Sequence, residues 1–119
     1  MRYKKAYLRK KFILIRKKNY LKKKKFKFDL IFKLIKKNFL KKKVIIAGYY
    51  PSNYEVNVLK FIEKASEKKF LVTLPVIESK NTMTFRSWKY KEPLNINSFG
   101  ILEPKRTNKA MIPDLMLVP

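Results

Sequence analysis

The stretch that decides the fold runs from Val44 to Pro75. It opens with Val44-Ile45-Ile46-Ala47-Gly48-Tyr49-Tyr50, turns at Pro51-Ser52-Asn53, and closes with Phe70-Leu71-Val72-Thr73-Leu74-Pro75. Both outer runs are short, continuous and rich in β-branched and aromatic residues, the pattern of a strand buried on both faces. Between them Val58, Leu59, Ile62 and Ala65 recur at helical spacing and predict a helix over about 54–68. Asn53 is placed to cap that helix, and Pro75 to end the second strand. Strand–helix–strand over 44–74 is a βαβ unit with parallel strands and an expected right-handed crossover.

Upstream, Leu8, Phe12 and Ile15 step by four and three, with Tyr7 and Ile13 beside them, which predicts a helix over 2–25. Leu30, Ile31, Leu34 and Ile35 predict a second helix over 28–38, with Asp29 in its first turn, where the helix dipole favours an acid. Downstream, Met83–Lys89 alternates weakly and reads as a more exposed strand. Residues 90–110 are polar and turn-rich. Pro113 then introduces Asp114-Leu115-Met116-Leu117-Val118, which reads as a third buried strand ended by Pro119. The expectation is one α/β domain over 1–119: a three-layer, mostly parallel sheet over 44–119 with an amino-terminal helical pair over 1–40. Ligands in such sheets bind beyond the carboxyl ends of the strands. The chain stops where the loop after its last strand is due, so the domain is expected to be truncated at the carboxyl end.

Composition narrows the chemistry. Of 119 residues none is Cys or His, which excludes disulfides, thiolate zinc sites and any Ser-His-Asp triad. Two glycines, Gly48 and Gly100, leave no Walker loop and no GxGxxG fingerprint. The formal net charge is +23, and +19 of it lies in residues 1–43, where Asp29 is the single acid. Such a block fits a polyanion: nucleic acid, or an anionic lipid surface met by the helix over 1–40. A plainer reading competes. Lys outnumbers Arg 26 to 5, and Ile, Asn, Phe and Tyr abound, as AT-rich coding would produce. Nucleic-acid binders favour Arg, whose planar fork suits phosphates and bases. Phe12–Ile15 is too short for a signal-peptide core, and no run approaches a membrane span, so a cytoplasmic location is expected.

Several phrases in order carry a resemblance. They are Lys5-x-x-Leu8-Arg9, Tyr50-Pro51-x-x-x-Glu55, Leu74-Pro75, Met83-x-Phe85-x-x-Trp88, Phe99-Gly100-Ile101-x-Glu103-Pro104 and Pro113-Asp114-x-x-Leu117-Val118-Pro119. Together they resemble the amino-terminal part of the 5-formyltetrahydrofolate cyclo-ligase (5,10-methenyltetrahydrofolate synthetase) family, over nearly the whole chain. The resemblance implies an ATP-dependent, carbon–nitrogen bond-forming ligase that needs Mg²⁺. Its substrate is 5-formyltetrahydrofolate and its product 5,10-methenyltetrahydrofolate. The formyl oxygen is a poor leaving group until phosphorylated; N10 then attacks the activated carbon and phosphate departs. No protein nucleophile is required, so catalysis is positioning and charge stabilisation.

By the same resemblance Lys5 and Arg9 contact ATP phosphate, and their i,i+4 spacing lets both reach one group. Tyr50 and Glu55 contact the folate, while Met83 and Phe99 wall the pterin pocket. Glu103 and Trp88 receive no role. No catalytic residue and no magnesium ligand is expected among these 119 residues. The family's Gly-rich, Tyr-containing phosphate loop follows the last strand and is absent here, so the chain is expected to be a partial enzyme. Expected partners are the folate alone, with no specific nucleic acid, no membrane and a monomeric state. The alternative is a nucleic-acid-binding module using residues 1–43.

Overall fold

The computed structural model describes residues 2–21, 27–40 and 43–119. The chain forms helix α1 (Arg2–Leu21), helix α2 (Asp29–Asn38), strand β1 (Ile45–Ala47), helix α3 (Leu59–Glu67), strands β2 (Leu71–Ser79) and β3 (Thr82–Ser87), and three two-residue strands, β4 (Asn95–Ile96), β5 (Leu102–Glu103) and β6 (Leu115–Met116). The expected extension of the first helix over 22–25 lies outside the described residues.

The main sheet has the order β3-β2-β1-β6. β1 pairs in parallel with both β2 and β6, while β2 and β3 form an antiparallel hairpin. The α/β architecture and its mostly parallel sheet are therefore as expected, with β3 supplying the mixed element. The βαβ unit is present as β1–α3–β2. β4 and β5 form a separate antiparallel ribbon inside the segment expected to be turns alone.

The apolar positions explain the packing. Ile46 and Ala47 of β1, Val72, Leu74 and Val76 of β2, and Ile62 and Ala65 of α3 are all buried. Phe61, also fully buried, faces α2, where its ring stacks on Phe32 at 4.8 Å. Lys68 places its ammonium 4.4 Å above the Phe32 ring, covering the edge of this cluster.

Three expectations need correction. First, α3 begins at Leu59, whose N–H donates to Asn57 Oδ1 at 3.0 Å. Asn53 cannot cap it, because Asn53 and Tyr54 have φ of 47° and 62°, in the left-handed region outside any helix. Second, β2 continues through Pro75 to Ser79. The neighbours Thr73 and Leu71 bond to β1, so the Pro75 nitrogen lies on that edge, beyond the point where β1 has ended. No ladder partner is lost there, a setting in which a strand tolerates proline. Third, β6 is no buried strand. It is the two-residue edge of the sheet, with Met116 and Val118 exposed. Bonds to β1 flank it on both sides: an Asp114 carboxylate oxygen accepts the Ile45 N–H at 2.9 Å, the Asp114 N–H donates to the Ile45 oxygen at 2.8 Å, and the Leu117 N–H donates to the Ala47 oxygen at 2.9 Å.

Candidate functional site

β1 is flanked by β2, which follows it through α3, and by β6, which returns from the far end of the chain. The strand order reverses across β1, and ligands of open α/β sheets bind beyond the carboxyl ends of strands at such a point. The segment leaving β1 there is Gly48–Glu55. Gly48 is buried under α3: a Cβ would sit 3.1 Å from Ile62 Cδ1, so glycine lets the strand end pass tightly beneath the helix.

The loop beyond it is a self-bonded turn. Glu55 N–H donates to the Ser52 oxygen at 3.0 Å, and Ser52 returns its own N–H and its hydroxyl to Glu55 Oε1, each at 2.9 Å. This closure holds Asn53 and Tyr54 in consecutive left-handed conformations, a strain of about 1–3 kcal/mol each for non-glycine residues. Tyr49 underlies the turn and donates its hydroxyl to the Val56 oxygen at 2.8 Å. Burial raises the Tyr49 pKa above the ordinary phenol value; the Glu55 charge adds to the rise and Arg16 opposes it.

Arg16 belongs to α1, which meets the loop through its carboxyl half. The Tyr20 ring lies edge-on to Tyr54 at 5.9 Å, and the Lys17 ammonium lies 5.8 Å from the Tyr54 ring centre. Among the described side chains of this helix, Ile13 and Arg16 are the half-buried ones. Lys5 and Arg9 are exposed but fall within the same quarter-turn as Ile13, Arg16 and Tyr20. At 1.5 Å per residue, Arg9 and Lys5 stand about 10 Å and 16 Å along the axis from Arg16. The helix thus carries a cationic stripe leading away from the β1 loop.

Two clefts adjoin the sheet. An aromatic one of ≈ 340 Å³ is lined by Tyr50, Leu59, Trp88, Tyr90, Lys91, Glu92 and Leu94. A second, of ≈ 420 Å³, lies against the β4–β5 ribbon and includes Ile77, Asn97, Phe99, Glu103 and Arg106. The structure therefore brings Tyr50 and Glu55 into one loop and aligns Lys5 and Arg9 on the helix docked beside it. It does not bring Phe99 to Tyr50: Phe99 sits on the ribbon turn, 71% exposed, in the other cleft. Met83 lines neither; it is 54% exposed and pairs across the hairpin with Ile77. Among the described residues no group of three or more acidic side chains is placed to hold a metal ion.

Sequence reasoning gave Glu103 and Trp88 no role, and both have structural ones. Glu103 is 4% exposed and accepts the Ile77 N–H. Trp88 is 4% exposed, donates its indole N–H to the Glu92 oxygen at 3.0 Å, and contacts the Tyr50 and Tyr90 rings edge-on. Glu103 carried a signal as an acid between Ile101-Leu102 and Pro104, which marks burial and not its purpose; Trp88, between Ser87 and Lys89, carried none beyond its size.

The fold and the loop at its switch point define an α/β protein with a structured turn at the carboxyl end of β1. In structure the chain is similar to a 5,10-methenyltetrahydrofolate synthetase from Aquifex aeolicus, solved by NMR, with a TM-score of 0.57 and 23% identity. The match covers 87% of this chain and 58% of that one, so the chain spans less than two thirds of its neighbour's length. At this identity the likeness is one of fold. No protein-family model matches the chain, and no curated protein matches it in sequence.

Proposed function

We propose that the chain is the folate-binding part of an ATP-dependent 5-formyltetrahydrofolate cyclo-ligase, a cytoplasmic, monomeric enzyme of one-carbon metabolism. One observation carries the reading. The Tyr50–Glu55 turn stands at the carboxyl end of β1 in a fold similar to that of a methenyltetrahydrofolate synthetase. Tyr50 supplies a half-buried ring on which a flat heterocycle stacks. The Glu55 carboxylate, fixed by Ser52 through Oε1, keeps further acceptor capacity for N–H groups of a pterin. The Lys5, Arg9 and Arg16 stripe gives polyphosphate a cationic track leading to that loop. The reaction joins N10 to the formyl carbon as phosphate leaves with the formyl oxygen, and these residues bind and orient both reactants. The proposal concerns binding by the residues present, where the match spans 58% of the neighbour's length.

The test is calorimetric titration of the chain with 5-formyltetrahydrofolate. Saturable binding that weakens about tenfold in Glu55→Gln is expected, from loss of a charged acceptor. Absence of any folate binding by the folded chain would sink the reading.

A nucleic-acid-binding module remains the second reading, favoured by one observation. Nine of the 20 residues of α1 are Lys or Arg and none is acidic. It predicts affinity for RNA or DNA with a preference in sequence or structure, beyond the salt-sensitive binding any such charge produces.

A further inference from the structure

We infer that α1 docks on an anionic lipid surface through the flank that carries Leu8, Phe12 and Ile15. This is independent of the folate reading above. Among the described residues, half of the exposed large apolar side chains lie within residues 7–40, and Leu8, Phe12 and Ile15 are among them, at 39%, 52% and 42% exposure. On a helix the three share an arc about 60° wide and form one apolar ridge. Lys4, Lys11 and Lys18 run along one side of that ridge. Lys5, Arg9 and Arg16 of the cationic stripe run along the other. An apolar ridge between two lines of cations is the layout of a helix lying in a bilayer interface. The ridge enters the boundary between headgroups and acyl chains, and the long cationic side chains reach up to the lipid phosphates. Ile13, Arg16 and Tyr20, on the side of α1 that meets the β1 loop, are centred roughly a third of a turn from the ridge, so the ridge is free while that contact holds. No described helix is long and apolar enough to cross a membrane, so α1 lies on the surface.

Charge selects the occupant. Nine of the 20 residues of α1 are Lys or Arg and none is acidic, and each cation near an anionic bilayer adds attraction. A second copy of the chain carries the same net charge of +23 and is repelled. A nucleic acid matches the cations through its phosphates but asks nothing of the apolar ridge, whereas a bilayer uses both. α2 repeats the pattern on its outer side. Leu30 and Leu34 are exposed four residues apart beside Lys33 and Lys37, opposite the buried Phe32 and Ile35. The far flank of α1 is a weaker candidate. Its described apolar side chains, Tyr7 and Leu14, stand two turns apart and leave the strip interrupted.

The whole chain is sedimented with vesicles of phosphatidylcholine, and with vesicles that mix phosphatidylcholine and phosphatidylserine. Binding to the mixed vesicles alone is expected. Phe12→Ser lowers that binding roughly tenfold, as loss of a large apolar contact does. Leu14→Ser, at an exposed position on the far flank, leaves it unchanged. Depth is read separately by fluorescence, with lipids brominated in their acyl chains. Phe12→Trp keeps an aromatic ring on the ridge, and its emission is quenched on the mixed vesicles; that of Leu14→Trp is not. The native Trp88, 4% exposed and the single tryptophan, is the unquenched background in both. Failure to bind the mixed vesicles overturns the inference. So do equal losses in Phe12→Ser and Leu14→Ser, or quenching of Leu14→Trp in place of Phe12→Trp. Binding without any quenching of Phe12→Trp shows charge alone at work and overturns it in favour of a general polyanion site. Folate titration without lipid reports on the other reading, so either fails without the other.

Discussion

The Glu103 carboxylate and the backbone of Ile77 form a substitute for a missing strand. Glu103 Oε2 accepts the Ile77 N–H at 2.7 Å, and three residues on, Arg106 donates to the Ile77 oxygen at 3.2 Å. Both groups of Ile77 lie on the edge of β2 that faces β1, past the point where β1 has ended. One acid and one guanidinium thus satisfy an edge that would otherwise be open, and Glu103 Oε1 stands 3.9 Å from the same guanidinium.

Replacing Glu103 by Leu strands the Ile77 N–H in a largely buried place. The expected loss is about 1–3 kcal/mol of unfolding free energy, the cost of an unsatisfied buried donor. Glu103→Gln keeps an acceptor and loses less. Urea denaturation of the two variants checks the order; equal losses would mean that the bond to Ile77 is not what matters.

Gly48→Ala tests the tight passage under α3. The new methyl meets Ile62 Cδ1 at 3.1 Å, the far end of a flexible side chain. A cost near 1 kcal/mol is expected, and Gly48→Val exceeds it, in the range of about 1–3 kcal/mol for overpacking. Thermal melts of the pair report the difference.

The pH dependence has two limbs. Glu78 has its pKa lowered, first by hydrogen bonds from Thr84 and Arg86 and further by the Arg86 and Arg106 charges. A carboxylate depressed on folding contributes stability that is complete above its unfolded value and lost as pH falls through the folded one. The acid limb below pH 4.5 should therefore flatten in Glu78→Gln. Tyr49 is the opposite case. Its raised pKa means that its contribution is present below 10.0 and disappears as pH climbs through the higher folded value. Tyr49→Phe should remove that alkaline limb in melts recorded against pH.

For nucleotide binding the stripe on α1 makes a positional forecast. Lys5→Ala and Arg9→Ala should each weaken ATP binding about tenfold, since each removes a charge-assisted hydrogen bond. Arg9→Lys should not restore it fully, because lysine lacks the planar fork. Lys11→Ala, with the same charge change and an exposed position off that stripe, should leave affinity unaltered. Equal losses at all three positions would mark a diffuse charge effect.

What the sequence revealed follows the range of the forces involved. Val44–Tyr50 and Phe70–Leu74 announce parallel strands because burial on both faces demands unbroken apolar runs. Proline and asparagine misled because their meaning is set by neighbours. Pro75 ends a strand only if its nitrogen faces a partner, and Asn53 caps a helix only if the helix starts there. Phe61 is three residues after Val58 and four before Ala65, on the same periodic face, and its place against Phe32 of α2 is set by long-range packing. The ribbon strands β4 and β5 have two residues each, too few to show alternation. At the site, Tyr50 and Glu55 were legible as one loop because they are close in sequence. The separation of Phe99 and Met83 from that loop is set by long-range pairing, which no local phrase encodes.

The edge position of β6 carries a colloidal consequence. Its outer side is unpaired in the sheet, and Ile112, Met116 and Val118 near it are exposed. Such an edge invites a second copy to dock, and a net charge of +23 opposes the approach by mutual repulsion. Added salt shortens the reach of that repulsion, from about 10 Å at 0.1 M to about 3 Å at 1 M. The protein should therefore stay dispersed in dilute buffer and self-associate as ionic strength rises.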